Sequence, residues 1–497
     1  MKNIATKILL SLLIILCTNR LYSQYDTGYV ARDINQMEQF NLYPSYDVYV
    51  QMMERFAANY PEICSLVEIG KSVENRRILA VKISDNVNEQ EYNEPEFLYS
   101  STIHGDELCG YNLMLRLIDH LLKNYNSDSY ITQLINNVQI YINPLANPDG
   151  TYLGGNLFVT KSTRYNANGE DLNRSFPKIT EPTTEPLQPE VQCMVDFAKQ
   201  HYFSISANLH SGSEILNYPW DSFFAYEMPL PDNSWFIQIC KQYVDTAHQI
   251  DAEYMISDIG PEGYVFGSEW YKIDGGRQDY MNYYHRCREI TIELSNDYVL
   301  HPDYLDEYWN KNRQSLINLI GESLQGIMGN VTNIYGESIP NAEIFVVDKD
   351  KTYSTVFTNE EGYYFRYLPT DSIYEIAAYS DGYQTANQVV KTEKDQLVTL
   401  NFMLQKGESI YPLPSDESNN DEEPVLTVSS LGGMLQLSST KTINSVIMVA
   451  TDGKIVTKFH PNTNKTEYSV NNCSQGVYVI KADCGGRIFT NKIFLSK

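Results

Sequence analysis

The sequence predicts an α/β domain followed by two small all-β sandwich domains, and three observations carry that expectation. From about Tyr25 to Glu322, helical and strand patterns alternate, as an α/β layer architecture requires. From Leu324 to Leu404 the helical periodicity disappears, and short apolar runs are separated by turns such as Tyr335-Gly336, Glu361-Gly362 and Asp381-Gly382. Lys406 to Pro424 is rich in Ser, Asn, Pro and acids and reads as a linker. Short strands then return from Val425 to Lys497, with Asp452-Gly453 as a hairpin turn. At 497 residues the chain exceeds one ordinary core, so three folded units fit its length.

The N-terminus sets the compartment. Lys2 and Lys7 precede an apolar run, Ile8 to Cys17, that is too short to span a bilayer, and Leu21-Tyr22-Ser23 offers a cleavage site. Residues 1–23 therefore read as a secretory signal peptide, so the mature chain is expected to be exported. Leu16 before Cys17 is larger than a lipoprotein processing site usually accepts, and no later stretch is apolar enough for a membrane-spanning segment. Loss of Cys17 leaves seven of the eight cysteines, so at least one thiol is unpaired within the chain. Cys473 and Cys484 flank a strand-like run and are a candidate pair.

Composition narrows the function classes. Hydrophobic residues at 42% and aromatics at 12% are those of a folded protein, and a net charge of -26 argues against a nucleic-acid surface. An acidic protein attracts cationic peptides, although a solvated surface explains the same charge.

Within the first domain, Tyr46 to Tyr60 reads as an amphipathic helix stopped by Pro61, and Phe97 to Ile103, Val138 to Ile142, Ser204 to Leu209 and Ile290 to Leu294 read as buried strands. The first of these strands delivers His104-Gly105-Asp106-Glu107 to the start of a helix that runs through Leu113, Leu117 and Leu121. His and Glu three apart on one helical turn can reach one cation, but alone such a pair is more often a solvated turn. Ser204 to Leu209 ends in a second histidine, His210, followed by Ser211-Gly212. By itself His210 reads as the cap of a strand, yet ligands of open α/β sheets gather beyond the carboxyl ends of strands. Two His and one Glu with an open fourth position form the ligand set of hydrolytic zinc, which makes water a usable nucleophile near neutral pH. Ile290, Ile292 and Leu294 alternate with Thr291, Glu293 and Ser295, so Glu293 faces away from the apolar side of its strand.

Further motifs follow in order: Arg164-Tyr165-Asn166-Ala167-Asn168-Gly169, Asp171-Leu172-Asn173-Arg174-Ser175-Phe176-Pro177, Trp270-Tyr271, Gly275-Gly276-Arg277-Gln278-Asp279 and Thr291-Ile292-Glu293-Leu294-Ser295. With His104, Glu107 and His210, this order resembles the zinc carboxypeptidase family, and most closely its carboxypeptidase D, E, M and N branch, over about Tyr46 to Asn318. The resemblance implies an α/β/α domain with a mixed sheet and one Zn2+, held by His104, Glu107 and His210. It implies that Asp171 fixes the tautomer of His104, that Glu293 is the general base and that Arg164 stabilises the oxyanion. Asn173 and Arg174 would bind the terminal carboxylate of the substrate, with Tyr271 closing over it. Asp221, in Tyr218-Pro219-Trp220-Asp221, and Gln278 would receive a basic side chain, so peptides and proteins with a free C-terminal Lys or Arg are the implied substrates. Two positions depart from the branch. Arg277 stands where a small apolar residue is usual, and Glu214 where an apolar one is common. An inward Arg277 would weaken cation binding; an outward one would not matter.

The later domains carry resemblances of their own. Leu324 to Leu404, with Gly329-Asn330-Val331, Pro340-Asn341-Ala342 and Gly362-Tyr363-Tyr364-Phe365, resembles the transthyretin-like sandwich that follows the peptidase in this branch, where its implied role is structural support. Val425 to Lys497, with Asp452-Gly453-Lys454, Gly476-Val477-Tyr478-Val479 and Lys492-Ile493, resembles the C-terminal sorting domains of type IX secretion, which implies that export machinery as a partner and a mature chain outside the cell or on its surface, by way of the periplasm. Two other readings stand beside the peptidase: a peptidoglycan peptidase whose acidic pocket takes the amine of diaminopimelate, and a surface-binding protein with an inactive site. The full set of ligands and the base speaks against the second.

Overall fold

The computed structural model describes residues 29–181, 186–409 and 411, and residues 426–495 apart from 432–433, 451–453, 462, 471–472 and 485–486. The candidate signal peptide, most of the candidate linker and the Asp452-Gly453 turn lie outside the described residues.

The first domain is built on an eight-stranded mixed sheet. In chain order its strands are β1 (Cys64–Lys71), β2 (Arg77–Ile83), β3 (Glu96–Ser101), β4 (Gln139–Asn143), β5 (Phe203–His210), β6 (Ser213–Tyr218), β7 (Tyr264–Phe266) and β8 (Arg288–Ser295), arranged in space as β1-β2-β4-β3-β5-β8-β6-β7. The four middle strands, β4, β3, β5 and β8, run parallel. Their carboxyl ends open on one edge, where such sheets bind ligands. These strands are buried over most of their length, and their buried positions include polar side chains such as Gln139, Asn208 and Glu289 beside Ile, Leu and aromatic ones.

The main helices are α1 (Tyr46–Asn59), α2 (Cys109–Asn124), α3 (Pro189–Lys199), α4 (Asn233–Ala247), α5 (Arg277–Tyr284) and α6 (Leu305–Gly321). Helix α1 stops just before Tyr60-Pro61, because proline disfavours a helical conformation in the residue before it. The expected start of α2 is corrected. His104 and Glu107 sit on a turn closed by Glu107 N–H donating to the His104 carbonyl at 3.2 Å, and the helix begins only at Cys109. Gly105 makes that turn possible: a Cβ there would run into the backbone of Gly150 and Thr151.

The next segment forms two four-stranded sheets around a shared apolar core that includes Ile327, Ile344, Tyr364 and Phe402. The described start of the expected linker is tied to this sandwich, since Gly407 N–H donates to Gly382 O and the Tyr411 hydroxyl to Glu343 Oε2. The sandwich and the peptidase-like domain pack as one compact unit, and the C-terminal strands belong to another. Burial of four charges joins the first two. Asp232 accepts from Arg288 (2.7 Å) and from Arg366 (2.7 Å), and Asp350 accepts from Arg366 (2.7 Å), all four side chains at most 4% exposed. Such burial is tolerable only because each charge is paired and hydrogen-bonded.

In the C-terminal unit, the strand Met434–Ala450 is far longer than the short strands expected, and pairs along its length with Leu426–Leu431, Ile455–Phe459, Thr463–Ser469 and Gly476–Cys484. The suggested Cys473–Cys484 bridge is absent: all seven described cysteines are free thiols. Among the described residues no helix is long and apolar enough to cross a membrane.

Candidate active site

Strand order brings the predicted residues together. β3 ends at Ser101 and leads into the His104–Glu107 turn, the adjacent β5 ends on His210, and Glu293 of β8 lies directly beside His210 in the parallel register. His104 Nδ1 lies 2.7 Å from Glu107 Oε1 and 3.1 Å from His210 Nδ1, and His210 Nδ1 lies 2.8 Å from Glu107 Oε2. All three side chains are buried. Asp171 Oδ1 sits 3.1 Å from His104 Nε2, so this ring nitrogen donates to the carboxylate and Nδ1 keeps its lone pair for the cluster. Three lone-pair donors this close, buried and aimed at one point, fit a tetrahedral metal with one position left open.

Asp171 has a second partner, Arg164, whose Nε donates to Asp171 Oδ2 at 2.9 Å and whose Nη1 reaches Glu107 Oε1 at 3.4 Å. The Asp171 carboxyl is held well below the usual range: burial opposes ionisation, but His104 and Arg164 outweigh it. The Arg164 guanidinium thus lies beside the cluster, facing the same cleft.

The cleft has an aromatic and acidic wall. Thr291 and Glu293 both line it, two apart on β8, as strand alternation predicts. Burial, and next the nearby Glu107 charge, lift the Glu293 carboxyl well above the usual carboxylate range, with Arg164 opposing. Its Oε2 has no hydrogen-bond partner among the described residues. Tyr271 stands half exposed at the rim, hydrogen-bonded to Arg174. Arg174 Nη1 also donates to Asn173 O at 2.8 Å. Asn173 Oδ1 accepts from Arg277 N–H, which pins the amide and leaves its NH2 group free of that bond.

Asp221, 5% exposed, also lines the cleft, and its Oδ1 accepts from Gln278 Nε2 at 3.0 Å. Thr291 donates to Gln278 Oε1 and so fixes the orientation of the amide. Burial, and next the Asp279 carboxylate, push the Asp221 carboxyl well above the usual range, while Arg174 opposes. A Cβ at Gly267 would strike Asp221 Oδ1, so only glycine lets the chain pass this close.

The two departures noted in the sequence have structural answers. Arg277 is buried and bound to Glu289, with Nη2 3.0 Å from Oε2, so its charge is neutralised, and it does not line the cleft. Glu214 accepts from the Tyr308 hydroxyl at 2.5 Å and does not line the cleft. Sequence reasoning missed Asp279, quoted within Gly275–Asp279 but given no role. Its carboxylate accepts from Asp221 N–H, Ser222 N–H and the Ser222 hydroxyl at 2.9, 2.8 and 2.6 Å. It also missed Tyr298, which shares the cleft wall. The first was findable as an acid inside a motif; the second had no signal.

Comparison with known proteins agrees with this geometry. The family model described as zinc carboxypeptidase matches residues 49–315, and that of the carboxypeptidase regulatory-like domain matches residues 326–405. Mouse carboxypeptidase D is 34% identical over 393 residues, which are 77% of this chain but only 27% of that protein. The chain therefore spans about a quarter of the length of the carboxypeptidase D proteins it matches. Mouse carboxypeptidase M is 34% identical over 64% of this chain and 74% of its own, and the human carboxypeptidase N catalytic chain is 31% identical over 73% and 85%. The crystal structure of thrombin activatable fibrinolysis inhibitor superposes with a TM-score of 0.50 at 19% identity, covering 57% of this chain and 75% of that one, which shows a shared fold.

Proposed function

Because the chain belongs to the zinc carboxypeptidase family, we propose that it is a secreted zinc exopeptidase that removes C-terminal Lys or Arg from peptides and proteins. The observation that carries this reading is a single cleft lined by His104, Glu107, His210, Glu293 and the buried Asp221, whose carboxylate is held by Gln278.

In this reading His104, Glu107 and His210 hold zinc, which when bound supplies a Lewis acid and a water that ionises near neutral pH. Asp171 keeps His104 in the ligating tautomer. Glu293 takes the proton of the attacking water and passes it to the leaving amine, a task suited to a carboxyl with a raised pKa. Arg164 donates to the carbonyl oxygen as negative charge develops there. Arg174, with Asn173, binds the terminal carboxylate through charge-assisted hydrogen bonds that an internal peptide cannot return, and Tyr271 closes over it. Asp221 and Gln278 receive the basic side chain. Export through the type IX machinery belongs to the same reading, supported by the short C-terminal motifs within the hairpin Gly476–Cys484/Arg487–Leu495.

The test is hydrolysis of matched peptides ending in Lys, Arg or Leu, with mass spectrometry of the released residue. Asp221→Asn keeps volume and hydrogen bonding but removes the charge, so the Lys-to-Leu ratio of kcat/KM should fall about a hundredfold. An unchanged ratio would move specificity to another residue. A pH dependence accompanies it. Protonation of Asp221 erases the attraction, and its folded pKa is raised, so the Lys preference should be full above that pKa. It should fade as pH drops through it, at a pH well above the ordinary value of about 3.9. A ratio constant down to pH 4 would contradict this.

A further inference from the structure

Tyr353 belongs to the sandwich domain, yet it packs into the peptidase-like domain directly behind the specificity pocket. Its ring meets Trp220 edge-on, at a centroid distance of 5.9 Å and 74°, and stacks with Tyr283 at 6.3 Å and 21°. Trp220 also meets Tyr283 edge-on at 6.4 Å and is 2% exposed. Trp220 is the residue before Asp221, so the three rings pack around the backbone segment that carries the pocket's carboxylate.

The backbone around Tyr353 is gripped from the same side. Arg286 Nη2 donates to Thr352 O at 2.7 Å, and Arg288 Nη2 donates to Ser354 O at 2.6 Å. Two arginines from the segment entering β8 thus hold the carbonyls on either side of Tyr353. Arg286 also donates to Tyr283 O and lies 5.6 Å over the Tyr283 ring. Arg288 continues into the buried Asp232–Arg366–Asp350 network, so the grip is continuous with the joint between the domains.

Behind Asp221 there are two anchors of different kinds. Asp279 holds its backbone N–H by hydrogen bonds, within the peptidase-like domain. Tyr353 holds the neighbouring Trp220 by ring packing, from the other domain. We propose that Tyr353 makes the sandwich domain a positioning element of the specificity pocket, fixing Trp220 and through it the Asp221 carboxylate. This rests on Asp221 being the acceptor of the basic side chain. Tyr353 touches no substrate. It acts by limiting where Asp221 can sit, and because Asp221 meets the basic side chain and not the scissile bond, its displacement weakens the Lys peptide and spares the Leu peptide.

The experiment compares kcat/KM for matched peptides ending in Lys and in Leu, using the full chain and its Tyr353→Ala, Tyr353→Phe and Asp221→Asn variants. Tyr353→Ala should lower the Lys-to-Leu ratio about fivefold, through the KM of the Lys peptide, with kcat for the Leu peptide kept. Tyr353→Phe keeps the ring and should match the unsubstituted protein. If Tyr353→Ala lowers both peptides equally, or leaves the ratio unchanged while Asp221→Asn collapses it, the positioning role is overturned and the reading of Asp221 stands. If Asp221→Asn leaves the ratio unchanged, the pocket assignment fails and the proposal falls with it.

Discussion

A chelator should abolish peptide hydrolysis by the purified chain, and one equivalent of zinc should restore it. The expectation rests on three donor atoms, one from the end of a strand and two from the turn that follows its parallel neighbour. His104 Nδ1 and His210 Nδ1 lie 3.1 Å apart, with a carboxylate oxygen of Glu107 within 2.8 Å of each. Two imidazoles and one carboxylate satisfy each other poorly at that range, and a divalent cation satisfies all three. Because the metal binds the native state and not the unfolded one, zinc should also raise Tm in proportion to the logarithm of its free concentration. His210→Ala should remove that shift together with activity. Full turnover in protein shown to be metal-free, or a Tm indifferent to zinc, would dismiss the metal site.

The sequence reveals the sheet and the reacting edge better than it reveals what lies behind them. Apolar runs at Phe97–Ile103 and Ile290–Leu294 fall within one or two residues of the strands Glu96–Ser101 and Arg288–Ser295, because Phe97 and Leu98 in one and Ile290, Ile292 and Leu294 in the other are the apolar positions of buried strands. Strand alternation places Thr291 and Glu293 on one face, and both line the cleft. The turn of His104–Glu107 is less legible. An i, i+3 spacing suits a helix and a tight turn alike, and the close approach of Gly150 that decides the matter comes from a distant segment. Arg277 shows the same limit. Its charge would spoil a cation pocket, and only the fold reveals Glu289 paired with it. The joint between the first two domains is least legible of all. Asp232 and Arg366 are 134 residues apart, and nothing local distinguishes them from solvated surface charges. Tyr353 is likewise one tyrosine among 39.

Replacing Glu293 by Gln should lower kcat by about 10²–10⁴-fold while leaving KM within a few-fold, since the amide keeps the shape but cannot accept a proton. The structure explains why the loss should fall on turnover. Glu293 shares the cleft with Arg164 and the metal-ligand cluster, whereas Asp221 is held by Gln278, and that hydrogen bond is not touched by the change. Folding should not suffer either. Burial, and next the Glu107 charge, raise the Glu293 pKa above its unfolded value, so its charged form is disfavoured in the native state. Near neutral pH, above the unfolded pKa, that carboxylate therefore weakens the fold, and a neutral glutamine relieves the cost. The Tm of metal-free Glu293→Gln protein should accordingly equal or exceed that of the unsubstituted chain, as residues kept for activity at the expense of stability do. The two measurements separate the alternatives. A large fall in kcat with an undiminished Tm marks a proton acceptor. A rise in KM with kcat preserved would make Glu293 a substrate-positioning group, and a fall in Tm would make it part of the scaffold.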